Sequence, residues 1–157
     1  MAFLWHDYHP EAMGYIENWL DANTVKSTGL DEGFRAFYEY WARETGFSLG
    51  KNYWCKVVFE KNEPLAVIAF CLHEGKLIIM EIVVAPKKRS QGIGSRLLRE
   101  LLENEEILGF AVENSEAVIF PDNTASQKAF EKAGFHHHHT HEDGTAMYYA
   151  YTRRPNG

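Results

Sequence analysis

The sequence predicts an α/β (α+β) fold, a single-layer sheet with helices packed on its faces. Three observations carry that reading. Tyr53 to Ala85 holds three apolar runs of strand length broken by tight turns. After Pro86 the apolar period changes to a helix, a short strand and a second helix. The chain then closes on a hairpin around Glu142-Asp143-Gly144.

Taken in order, His9-Pro10-Glu11 reads as a helix start, with proline in the first turn and an early acid. Met13, Ile16 and Leu20 follow as one apolar stripe. Asp31 is a candidate cap for a second helix with the stripe Phe34, Phe37, Tyr38 and Trp41, ended near Gly46. Strands are expected over 53–60, 65–73 and 76–85, and Pro86 stops the third because it cannot donate to a ladder. Gly94 to Glu103 is helical, with Leu97, Leu98, Leu101 and Leu102 on one side. A buried strand is expected over 116–120 and a helix over 124–133, closed by Gly134. The final hairpin pairs 135–141 with 145–152.

Composition narrows the possible functions. The 157 residues are 45% hydrophobic and 24% charged, which suits one globular domain spanning 1–157. A chain this long buries roughly 70% of its unfolded surface, enough for an independent core. Sixteen Lys and Arg against 22 Asp and Glu give a net charge of −6. That balance lacks the basic footprint of a nucleic-acid binder and better suits a cationic partner. Cys55 and Cys71 fall in apolar strand-like runs and read as reduced core thiols of a cytoplasmic protein. The longest clean apolar run, Ala66 to Leu72, is far short of the ~20 residues that cross a bilayer, so no membrane partner is expected. The opening Met1-Ala2-Phe3-Leu4-Trp5-His6 has no leader pattern.

The most informative stretch runs Ile82-Val83-Val84-Ala85-Pro86-Lys87-Lys88-Arg89-Ser90-Gln91-Gly92-Ile93-Gly94-Ser95. An apolar strand enters a basic, glycine-containing turn that opens a helix. Unpaired amides at a helix N-terminus carry partial positive charge, so a phosphate is the natural guest. Gly92 and Gly94 would let the backbone approach it and take strained torsions. The plainer alternative is a tight strand-to-helix turn with a solvated basic face. The stretch is neither a Gly-Lys-Ser/Thr phosphate loop nor a three-glycine dinucleotide fingerprint.

Arg89-Ser90-Gln91-Gly92-Ile93-Gly94 resembles the (Gln/Arg)-x-x-Gly-x-(Gly/Ala) motif of the GNAT superfamily of acyl-CoA-dependent N-acetyltransferases. Val84-Ala85-Pro86 resembles the strand end that precedes that loop in the family. Asn123 to Phe135 is similar to a second family segment, Asn-x-x-(Ala/Ser)-x-x-x-Tyr-x-Lys-x-Gly-Phe. The likeness is most specific over roughly residues 77–135 and weak before residue 50. It implies a single mixed central sheet of about six to seven strands with helices on both faces. It also implies acetyl-CoA as cosubstrate, no required metal, and an amine-bearing acceptor, with a homodimer left open. The amides of Arg89, Ser90, Gln91, Gly92, Ile93, Gly94 and neighbouring Ser95 would cradle the pyrophosphate. The backbone near Val84 would pair with the pantetheine arm like an added strand and supply the oxyanion donor. Asn123, Ser126 and Phe130 would line the far side of the cofactor, Asn123 doubling as a helix cap. Lys128 and Lys132 read as a solvated helix face.

Transfer from a thioester to an amine needs a base, an oxyanion donor and a leaving thiolate. Glu81 is the candidate base. Strand alternation places it with Val83, away from Met80, Ile82 and Val84, so it points toward the acceptor cleft if the latter three lie under the helix from Gly94. Burial there would raise its pKa. The alternatives are a cross-strand ion pair with Lys or Arg, or a binding site for a cationic substrate. Phe130 departs from the family, which often has a tyrosine there as general acid. Ser126 and Tyr148 are substitute hydroxyls, and a thiol of pKa around 8.5 also leaves tolerably unaided.

The departure at Phe130 motivates a competing class, a non-catalytic module that binds or senses acyl-CoA. A third option is metal binding by the histidine run. Alternation would put His137, His139 and His141 on one face and His136 and His138 on the other. An exposed, titrating strand is the plainer reading.

Overall fold

A computed structural model describes residues 3–44 and 46–153. Met1 and Ala2, the start of the segment read as leaderless, lie outside them.

Seven strands form one mixed sheet. They are β1 (Leu4–Asp7), β2 (Tyr53–Glu60), β3 (Glu63–His73), β4 (Lys76–Val84), β5 (Asn114–Ile119), β6 (His136–Thr140) and β7 (Met147–Thr152), ordered β1-β2-β3-β4-β5-β7-β6. Among the described strand pairings, β4 with β5 is the parallel one. The helices are α1 (Ala22–Thr28), α2 (Phe34–Arg43), α3 (Ile93–Glu103), α4 (Glu105–Leu108) and α5 (Thr124–Lys132).

Two apolar layers sandwich the sheet. On one side the four predicted leucines of α3 are buried with Phe70, Ile79, Ala117, Phe130 and Phe135. On the other, Ile16, Trp19, Leu30 and Phe34 pack on Val57, Val67, Ala69 and Val83. The expected stripe of α2 faces this second layer, with Phe37, Tyr38 and Trp41 partly buried beside Phe34. Cys55 and Cys71 are free and buried there, and burial pushes both thiols up.

The N-terminal quarter departs from expectation. The Met13, Ile16, Leu20 stripe forms a 3-10 helix over Gly14–Trp19 rather than one α-helix, and α1 follows as a separate element. β1, an edge strand of four residues, and α4 were not foreseen. Asp31 does not cap α2. The flanking residue is Gly33, and Glu17 supplies the cap from across space, its Oε1 and Oε2 accepting from the Phe34 and Arg35 amides at 2.7 and 2.8 Å. A long-range carboxylate satisfies the same orphan donors as a local cap, so the local pattern misled. α2 ends at Arg43, before Gly46.

Candidate active site

The site forms where β4 parts from β5. Pairing between them covers only Leu77–Ile79 against Ser115–Ala117. Beyond Ile79 the β5-facing backbone of β4 has no ladder partner among the described residues, although β4 still pairs with β3 through Val84. A bulge marks the divergence. Phe70 lies opposite Ile79 and Ala69 opposite Glu81, which leaves Met80 as the extra residue. Bulges bend a strand and re-aim its side chains.

The bulge corrects the expected alternation. Ile82 and Val84 do pack in the α3 layer, but Met80 falls in the opposite layer with Val83. Glu81, opposite Ala69, faces that same side of the sheet. Its Oε1 accepts from the Ile82 amide at 3.2 Å. Among the described residues no cation pairs with it, so the cross-strand ion pair does not form. Desolvation dominates and pushes its carboxyl up to about 8, against a small opposing pull from the Ile82 amide.

Glu81 lines a cavity of about 210 Å³ that also takes in Asn123, Ser126 and Phe130, three of the residues expected to face the cofactor. Asn123 caps α5, its Oδ1 accepting from the Ser126 amide at 3.1 Å. Its Nδ2 donates to the Ser27 carbonyl at 3.5 Å, tying α5 to α1. Phe130 is chiefly core, 2% exposed and edge-on to Phe135 with centroids 4.9 Å apart. Of the two substitute hydroxyls, Ser126 lines the cavity; Tyr148 does not, and its ring stacks on His139 at 4.3 Å.

The loop from Arg89 to Ser95 lies outside that lining, beyond the end of β4. Gly92 caps α3 in the left-handed region, φ 74°, and Ser90 is also left-handed, φ 65°. Gly94 does not share this strain. Its bare Cα lets α3 approach α5, where a Cβ would come within 3.3 Å of the Ala129 Cβ. Ile93 is core, and the Ser95 hydroxyl donates to the Gly92 carbonyl at 3.0 Å. Only the main chain of these two positions is available to an anion. The exposed Gln91 side chain donates back to the Lys87 carbonyl.

The basic residues are not equivalent. Lys88 pairs with Glu63 at 3.1 Å, and Lys87 is exposed. The Arg89 guanidinium turns inward. It donates to the Val84 carbonyl at 3.2 Å, the Trp19 carbonyl at 3.0 Å and Asp21 Oδ2 at 3.1 Å. Asp21 also caps α1 through the Thr24 amide at 2.8 Å. The Thr24 amide, the Thr24 hydroxyl and Arg89 together hold its carboxyl down at about 2. One arginine thus joins the end of β4 to the segment that enters α1.

Sequence reasoning missed Ser27, Thr28 and Phe120, which line the cavity. The signal for α1 was present: Asp21 three residues before Thr24, and Gly29 where the helix stops with φ 77°.

The histidine strand is exposed throughout, and it is bulged. His137 aligns with Tyr149 and His139 with the adjacent Tyr148, which leaves His138 unpaired. That shift puts His137 and His139 on opposite faces, so the predicted three-histidine face does not exist. His141 lies past the strand, its Nδ1 2.8 Å from Asp143 Oδ1. Among the described residues no group of three His, Cys, Asp or Glu side chains is placed to hold a metal.

A family model described as "Acetyltransferase (GNAT) family" matches residues 6–135. The chain belongs to the GNAT acetyltransferase family. No curated protein matches it. Among solved structures, the fold is similar to AAC(6')-Ib in complex with paromomycin and acetyl-CoA, with TM-score 0.73, 19% identity, and 98% and 94% of the two chains covered. It is also similar to the ribosomal-protein-S18-alanine N-acetyltransferase from Escherichia coli, at TM-score 0.66, 17% identity and 99% and 97% coverage. A spermidine N-acetyltransferase chimera from Vibrio cholerae and hSSAT matches at TM-score 0.71, 13% identity and 96% and 95% coverage. At these identities the likeness establishes the GNAT fold, with its seven-stranded mixed sheet.

Proposed function

We propose that this GNAT protein is an N-acetyltransferase that moves an acetyl group from acetyl-CoA to a primary amine within a ternary complex. The carrying observation is Glu81, a desolvated carboxylate with no cationic partner among the described residues, lining a cavity at the gap between β4 and β5. A carboxylate there is costly unless it has work to do.

The main-chain N–H groups of the Arg89–Ser95 loop, headed by the left-handed Ser90 and Gly92, suit a pyrophosphate at the α3 N-terminus. The unpaired backbone of β4 beyond Ile79 suits the amide-bearing pantetheine arm, which would reach the cavity alongside it. There Glu81 takes a proton from the incoming ammonium. The freed lone pair attacks the thioester carbon, the nitrogen of the tetrahedral adduct gives its second proton to water as the C–S bond breaks, and coenzyme A departs as the thiolate. A main-chain amide of the strand end near Val84 donates to the transient oxyanion. Phe130 has no proton to give, and a thiolate needs little help to leave. With its carboxyl pushed up to about 8, Glu81 is ionised only in part at neutral pH; the incoming ammonium favours its charged form, and that form is the base. Calorimetry with acetyl-CoA tests the first half, and no saturable binding below millimolar overturns it. Coenzyme A release with an amine panel tests the second, and silence across a broad panel leaves only a binder.

A further inference from the structure

The walls of the Glu81 cavity restrict what can be acetylated. This inference rests on the proposed activity and narrows its acceptor. The cavity holds about 210 Å³, below the roughly 300–1,000 Å³ typical of sites that enclose drug-sized ligands. On one side the residue that follows α1 lies against the residue that follows β5. At Gly29, where α1 ends, a Cβ would lie 3.3 Å from the Phe120 ring, and Asn123 bridges to Ser27 above it. Phe37, Met80, Val118 and Phe120 supply large apolar surfaces.

The polar groups in the lining are mostly committed elsewhere. The Ser27 hydroxyl donates to the Thr24 carbonyl at 3.2 Å. The Thr28 hydroxyl donates to the same carbonyl at 2.6 Å and accepts from the Leu30 amide at 3.4 Å. Asn123 spends both ends of its amide on Ser126 and Ser27. The two carboxylates that precede α1 are occupied as well. Glu17 holds the α2 N-terminus with both oxygens, and Asp21 holds Thr24 and Arg89. Among the described residues Glu81 and the Ser126 hydroxyl remain uncommitted to other side chains.

We propose that the acceptor is a primary amine with one ammonium group on an apolar alkyl or arylalkyl body. Glu81 receives the ammonium, and Phe37, Met80 and Phe120 take the body. A second ammonium finds no free carboxylate in the lining. A ring of hydroxyls would exchange water for walls that cannot pair them, which costs affinity for each group left unmade.

The experiment measures coenzyme A release by the full chain with saturating acetyl-CoA. The acceptors are hexylamine, phenethylamine, spermidine, kanamycin and a short peptide with an N-terminal alanine. The expected result is a kcat/KM for the two apolar monoamines at least about tenfold above the other three, the worth of two buried methylenes. The variant Val118→Asp adds a carboxylate at a wall position that is 49% exposed and so tolerant of charge. It should raise the spermidine-to-hexylamine ratio by up to about fivefold. If spermidine, kanamycin or the peptide equals or leads the monoamines, the acceptor class is wrong while acetyl transfer stands. Silence with every amine overturns the acceptor class, and joined to an absence of acetyl-CoA binding it removes the activity too.

Discussion

Helix α3 follows the Arg89–Ser95 loop, α1 borders the Glu81 cavity through Ser27 and Thr28, and the two are held in different ways. α3 buries six side chains, Ile93, Ser95, Leu97, Leu98, Leu101 and Leu102, and packs closely on α5 at Gly94. α1 buries none. Its place is set by Asp21 at one end, the left-handed Gly29 at the other, and hydrogen bonds from Arg89 and Asn123. Apolar packing fixes a helix over its whole length, whereas a few partly solvated hydrogen bonds contribute about 1 kcal/mol each. The loop side is thereby anchored in the core, and α1 is a short, tethered element beside the Glu81 cavity.

Glu81 lies on the strand shared by both regions, and its removal has the largest expected effect. Glu81→Gln should lower kcat at neutral pH by roughly 10²–10⁴. The loss shrinks at high pH, where more amine is already free, and an unchanged pH–rate profile rejects the base assignment. The same variant has an opposite effect on stability. The native carboxyl holds its proton to about pH 8, against an ordinary 4.5. Between those values the unfolded chain has lost a proton that the native chain keeps, so wild-type stability falls as pH rises through the window. Glutamine carries no such penalty. Its advantage in urea unfolding should grow from pH 4.5 to 8 by a few kcal/mol, at ~1.4 per pH unit, and then level off.

Breaking the packing of the anchored side comes next. Gly94→Val drives a branched side chain against Ala129 at a spacing that a Cβ alone already crowds. Overpacking of this kind costs about 1–3 kcal/mol. Tm should fall by several degrees, and acetyl-CoA should bind more weakly, since parting α3 from α5 moves the Gly92 cap. An unchanged Tm would show that this contact is slack.

These two regions also differ in how far the sequence revealed them. The leucine stripe of α3, the Gly92 turn and the Asn123 cap are local patterns, and each appears where expected. Glu81 shares the Val83 side of the sheet as alternation predicted, although a bulge at Met80 brings its neighbour to that side too. Alternation cannot reveal a bulge, because the extra residue shows only against the partner strand. The same limit defeated the histidine face at His138. The acceptor side was less legible because its determinants act over long separations. Glu17 caps a helix seventeen residues away, and Arg89 reaches back seventy residues to the Trp19 carbonyl. No periodicity encodes such contacts.

Cutting the tether tests the acceptor side directly. Arg89→Met removes three hydrogen bonds, one to the strand end at the Val84 carbonyl and two to the α1 entry at the Trp19 carbonyl and Asp21. The guanidinium is about one-third exposed, so solvent screening limits the loss to ~1 kcal/mol. That should appear as a rise of about fivefold in the acceptor KM, with Tm nearly unchanged. Arg89→Lys should rescue little, because an ammonium cannot span three partners in one plane. A variant that loses several degrees of Tm instead would make Arg89 a structural residue.

The smallest effect is expected where the sequence departs from its family. Phe130→Tyr restores the hydroxyl that the family often carries at this position. If thiolate departure needs no acid, kcat with a good amine should change by less than about threefold, a difference of under 1 kcal/mol in the barrier. Phe130 is 2% exposed and packed edge-on to Phe135, so an added hydroxyl must either reach the cavity it borders or remain unpaired in the core. The second outcome lowers Tm at unchanged kcat, since a buried unmade hydrogen bond costs about 1–3 kcal/mol. A tenfold or larger gain in kcat would mean that proton donation to sulfur limits the native reaction, and that Ser126 does not supply it.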